Sequence, residues 1–171
     1  MSGSGEGIYE ESKERGAIHL ARFPRVHAAN LEHREFTLPD DFDGERNLVL
    51  IAFKREQQAE IDTWIPAAQR LAREHPDVRY YELPTISRGV PLARWWLDAA
   101  MRAGIPDRAA REATITLYVD KPAFRDALQL PTEETIAVLL VRRDGQVLWR
   151  DEGAYTEEKG QRLMDTLNRP A

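Results

Sequence analysis

The chain has 171 residues, a formal net charge of −5 and no cysteine. At roughly 100 to 200 residues per domain, that length predicts one domain with a core large enough to need no staples. The missing thiol excludes a disulfide framework, a thiolate nucleophile, a CxxC redox pair and a zinc ribbon. A composition 42% apolar and 31% charged describes an ordinary globular chain. The longest wholly apolar runs, Leu48 to Phe53 and Ile136 to Val141, fall far short of the roughly 20 residues that a spanning helix needs. The start shows no basic stretch followed by an apolar one, so a cytoplasmic location is expected.

Residues 1–25 are polar and acidic without a clear period and read as a loosely attached arm, with Ile18, Leu20 and Phe23 available to hold part of it to the body. Residues 26–171 then form a single domain. Short extended segments around Glu35-Phe36-Thr37-Leu38 and a turn at Pro39 to Gly44 lead into it. Asn47 to Phe53 is a continuous apolar run, the pattern of a central strand covered on both faces. Ile61, Trp64, Ile65, Ala68, Leu71 and Ala72 recur at helical spacing, and His75-Pro76 stops that helix. Val78 to Leu83 is the next strand and completes a parallel βαβ unit. Leu92, Trp95, Trp96, Ala99, Ala100 and Ala103 predict a tryptophan-rich helix ending at Gly104. Thr114 to Val119 alternates as a strand, and Lys121 to Leu128 is a short helix with Pro122 in its first turn. Thr135 to Val141 and Gln146 to Arg150 form a hairpin around Asp144-Gly145, and Thr156 caps a last helix through Leu163, Met164 and Leu167.

This order is similar to the thioredoxin-like fold in its peroxiredoxin-type version: a three-layer α/β/α arrangement whose central mixed sheet ends in an antiparallel hairpin and a C-terminal helix. Four stretches, Asn47 to Gln58, Tyr81 to Pro84, Met101 to Asp107 and Thr114 to Lys121, resemble the ATP synthase assembly factor ten family. The resemblance implies a chaperone or assembly role, with membrane-sector subunits of the ATP synthase as protein partner and no cofactor. It also locates a departure from redox relatives. Thioredoxins place their CxxC pair, and peroxiredoxins their peroxidatic cysteine, just after the first central strand, where this chain has Lys54-Arg55-Glu56-Gln57-Gln58. The cis-proline of thioredoxins is also missing, since Thr135 stands near its expected place. No thiol redox activity is expected, and no catalytic residue is assigned.

The candidate binding residues cluster at that departure. Lys54, Arg55, Gln57 and Gln58 sit where free N–H groups, a positive helix end and basic side chains converge on an anion or a partner's carboxylate; an exposed strand-to-helix loop is the plain alternative. Ser87 and Arg88 follow the next strand and complete the same mouth, or form a simple loop turn. Arg94, Arg102, Arg108 and Arg111 surround the tryptophan helix and the following loop, either lining a groove for an acidic segment or phosphate, or pairing with Asp98, Asp107 and Glu112. Trp95 and Trp96 are adjacent and cannot pack on one spot; either one lies at a groove or an interface, which leaves a homodimer open, or they serve as core contacts, the reading kept for at least one of them. Trp64 and Trp149 read as core or half-buried sheet contacts.

Other chemistries find less. His19, His27, His33 and His75 lack ligand spacing, so no metal is expected. Asp40, Asp41 and Asp43 read as a solvated turn, and Glu133, Glu134, Glu157 and Glu158 as helix N-terminal charges or exposed loops. The basic residues, 20 arginines among 24, are dispersed in an acidic total, so no nucleic-acid partner is expected. Two functional classes remain open: a non-redox module binding a protein partner, and an anionic small-ligand binder or cysteine-independent enzyme using an arginine-lined mouth.

Overall fold

The computed structural model describes residues 21–89 and 107–170. Strands β1 (Val26–Asn30), β2 (Glu35–Leu38) and β3 (Arg46–Ala52) come first, then a 3-10 turn at Arg55–Gln57 and helix α1 (Gln58–Glu74). They are followed by β4 (Val78–Ser87), α2 (Arg108–Ala113), β5 (Ile115–Val119) and α3 (Lys121–Leu128). β6 (Ala137–Arg142), β7 (Val147–Glu152) and α4 (Glu157–Leu167) complete the order. The strands form one 7-stranded sheet in the order β2-β1-β5-β4-β3-β6-β7. β3, β4 and β5 are parallel, while the β1–β2 hairpin and the β6–β7 hairpin meet their neighbours antiparallel.

The continuous apolar run of β3 follows from its place in the middle of that sheet. Leu48, Leu50 and Ala52 face one core, against Ile61, Trp64, Ala68 and Leu71 of α1 and Leu163 and Leu167 of α4. Val49, Ile51 and Phe53 face the other, with Phe124 and Leu128 of α3 and with Phe23, Phe36 and Phe42. Each such Val, Leu, Ile or Phe side chain, fully buried, contributes about 1.5–3 kcal/mol. Helices thus cover both faces, the thioredoxin-like arrangement. α1 ends at an extended His75 before Pro76 and contains Pro66, which cannot donate to the Asp62 carbonyl. The helix continues through that defect because its apolar stripe lies on the sheet. Trp64 is buried and its Nε1–H donates to the Gly153 carbonyl at 2.9 Å; Trp149 is half-buried beside it, ring centres 6.2 Å apart. Thr156 caps α4, its side chain accepting from the Lys159 N–H at 3.2 Å.

Two details differ from the expectation. β4 does not stop at Leu83: Thr85, Ile86 and Ser87 pair with Leu117, Tyr118 and Val119 of β5, so their backbone has strand partners instead of forming a loop. α1 is entered through a 3-10 turn, not directly. Within the arm, Ala21 and Phe23 are buried, the Phe23 N–H donates to the Gly145 carbonyl at 2.8 Å, and Phe23 meets Phe42 and Phe124 edge-on. The tryptophan-rich helix expected from Leu92 to Ala103 lies outside the described residues.

Candidate functional site at the carboxyl end of the central strand

The chain leaves β3 through Phe53 and an extended Lys54, and Gln57 fixes the turn beyond them. Its side chain is buried, with Oε1 accepting from the Phe53 N–H at 2.8 Å and the Lys54 N–H at 3.3 Å. Its Nε2 donates to the Glu133 carbonyl at 2.6 Å. One amide therefore ties the end of β3 to the loop that enters β6. Lys121, the first residue of α3, reaches the same spot and donates from Nζ to the Phe53 carbonyl at 2.8 Å. Backbone groups that a strand end leaves open are thus closed by side chains.

Charges surround this brace. Lys54 Nζ lies 3.0 Å from Glu134 Oε1, both side chains well exposed. Glu133 is not the exposed loop charge that its sequence suggests: Oε1 is buried without a hydrogen bond, 4.0 Å from Lys121 Nζ and 3.9 Å from Arg125 Nε. Thr135 Oγ1 donates to Glu60 Oε2 at 2.6 Å and joins that loop to the first turn of α1. On the other side of the turn, Gln58 Nε2 donates to Asp62 Oδ1 and Glu82 Oε1, each at 3.1 Å. Burial pushes the Glu82 carboxyl above the ordinary glutamate value, and the Asp62 charge adds to the effect.

Of the residues singled out in the sequence, Lys54, Arg55, Gln57 and Gln58 come together here, with Gln57 as an internal brace and Lys54 and Gln58 exposed. Ser87 and Arg88 stand at the same end of the sheet. They project past Ala52, whose partner on β4 is Pro84, and the Arg88 N–H donates to the Val119 carbonyl at 3.3 Å. Arg111 is not part of this mouth. α2 precedes β5, so it lies at the opposite end of the parallel strands, where Arg111 pairs with Glu32 and lowers the Glu32 carboxyl. Arg94, Trp95 and Arg102 fall outside the described residues.

Lys121, Arg125, Glu82 and Asp62 were missed in the sequence. Lys121 had a signal, since it directly follows a strand parallel to β3 and so emerges at the same sheet end; Glu82 shows as a lone carboxyl inside a strand. At the far end of β3 a cleft of about 630 Å³ is lined by Arg46, Asp77, Leu148, Leu167 and Arg169. Arg46 is occupied there, holding Asp77 through two bonds of 2.6 and 3.2 Å and the Leu167 carbonyl at 2.8 Å. It anchors the end of α4.

The chain matches no protein-family model and no curated protein. Solved structures do match. A thiol:disulfide interchange protein from Bacteroides is similar with a TM-score of 0.57 and 12% identity, over 87% of this chain and 90% of that one. BsSco, a member of the Sco family of cytochrome c oxidase assembly proteins, is similar with a TM-score of 0.58 and 13% identity, over 86% and 92%. A yeast Sco protein with copper bound is similar with a TM-score of 0.55 and 13% identity, over 88% and 95%. Likeness at such identities shows the fold, and the fold is thioredoxin-like.

Proposed function

We propose that this chain is a non-redox thioredoxin-like module that holds a protein partner at the carboxyl end of β3. The observation that carries the reading is the brace around Gln57. The turn after β3 carries no sulfur, is locked by side-chain hydrogen bonds to Phe53, Lys54 and Glu133, and offers solvent an exposed cation and carboxylate, Lys54 and Glu134. A pre-organised polar surface loses little freedom on binding, which favours docking of a partner. The Sco likeness supports an assembly role, and the resemblance of Asn47 to Gln58 and Thr114 to Lys121 supports membrane-sector subunits of the ATP synthase as the partner. The test is affinity capture from a lysate containing solubilised membranes, beside a Lys54→Glu, Arg55→Glu variant with unchanged circular dichroism. ATP synthase membrane subunits are expected with the wild type and lost with the variant. No enriched protein, together with thermal stabilisation by an anionic metabolite, would replace this reading with a small-ligand site involving Arg55 and Arg88.

A further inference from the structure

The cleft at the far end of β3 has a floor and a rim of different chemistry. The floor comes from a fault in the β6–β7 hairpin. Leu140 pairs with Trp149 and Val141 with Val147, so Leu148 is the extra residue of a bulge in β7. A bulge re-aims side chains, and here Leu148 and Trp149, neighbours in sequence, both pack on the face that carries α1 and α4. Leu148 thereby shares the cleft with Leu167 and Pro170, at and just beyond the end of α4. The rim is charged, and its charges do not cancel. Asp77 is taken by Arg46. Glu45 is held by Arg143, which lies outside the lining, with Nη1 2.9 Å from Oε1. Arg142 divides its guanidinium between Asp144 Oδ2 at 3.2 Å and Gln146 Oε1 at 3.3 Å. The exposed Arg169 side chain has no ion pair or hydrogen bond among the described residues. It is the lining cation without a countercharge, on a chain whose net charge is −5.

We propose that this cleft binds an aliphatic monocarboxylate, its chain on Leu148, Leu167 and Pro170 and its carboxylate on Arg169 and Arg142. One surplus guanidinium above an apolar floor fits an anion with a single charge and an apolar body. About 630 Å³ is the size of a small-molecule site. Arg142 joins Arg169 because a guanidinium has five N–H donors and the two bonds above leave some of them unused. The site lies at the opposite end of β3 from the Gln57 brace, so it goes beyond partner binding and stands whether or not a partner docks. A bound chain ties the end of α4 to β7, and a ligand of the native state alone raises its stability.

Sodium hexanoate, titrated at constant ionic strength and followed by amide NMR of the full chain, tests the site. Sodium acetate and 1-hexanol probe the head and the chain separately. Hexanoate is expected to shift the amides of Gln146 to Leu148 and Thr166 to Arg169 saturably. Its affinity should exceed that of acetate, which lacks four methylenes, by roughly tenfold or more. In Arg169→Ala, an exposed position whose change leaves the fold intact, hexanoate affinity is expected to fall roughly fivefold while the response to 1-hexanol stays the same. An equal affinity for acetate shows a surface anion contact only, and an equal affinity for 1-hexanol an apolar contact only. Shifts centred on Lys54 and Gln58 place the ligand at the other end of β3. Each of these results overturns the proposal, as does hexanoate binding unchanged in Arg169→Ala or no saturable response at all.

Discussion

Gln57 shows how much one buried amide decides. Replacing it with leucine keeps the volume but strips partners from the Phe53 N–H and the Glu133 carbonyl, and a buried group left unpaired costs about 1–3 kcal/mol. A Gln57→Leu protein should lose stability of that order in urea denaturation; an unchanged midpoint would show that water replaces the brace. Asp77 gives the pH counterpart. Hydrogen bonding to Arg46 holds its carboxyl below the ordinary aspartate value. The unfolded chain therefore binds the proton first as pH falls through the ordinary value, and the stability from this pair disappears as pH falls further, through the folded value. After allowance for solvent screening, Asp77→Asn is expected to cost about 1 kcal/mol at neutral pH and nothing once the wild-type carboxyl is protonated. Denaturation at a series of pH values checks both ends. Glu82 has the opposite sign: its raised value makes its contribution decline as pH rises through that value.

At the scale of elements, the helices and strands with an apolar period were legible because burial sets both the period and the fold. α3, β6, β7 and α4 follow that rule, and α1 follows it despite Pro66. What stayed hidden depends on pairing between distant segments. Thr85 to Ser87 reads as a loop until β5 supplies its partners, and Glu133 reads as a surface charge until Lys121 and Arg125 close around it. The candidate mouth was legible as a location, the end of β3, but the roles within it were not, since Gln57 and Gln58 are neighbours in sequence with opposite burial. Phe23→Ala removes a ring held by Phe42 and Phe124 and is expected to cost about 3–5 kcal/mol, read as a lowered Tm. A shift near zero would show that the sheet closes without this segment.

For the whole molecule, the thioredoxin-like frame stands without a single cysteine. The N-terminal end of α1 stabilises a thiolate where one exists; here the same place holds Lys54, the Gln57 brace and Gln58. Insulin reduction and peroxide turnover by the purified protein are expected to stay at the uncatalysed rate. Turnover above it, retained after repurification, would contradict a non-redox role.

The two outer margins of the sheet share a property with consequences for solubility. Along β2, the Thr37 N–H donates to Asp41 Oδ2 at 2.7 Å and the Thr37 carbonyl accepts from the Asp41 N–H at 2.9 Å. Along β7, the Val147 N–H is taken by the Ala21 carbonyl at 3.2 Å. Open strand margins are templates on which further chains stack into fibrils. Here the chain's own turn and arm occupy hydrogen-bonding positions on both margins, guarding a long sheet against aggregation at concentrations where a bare margin would recruit its own copies.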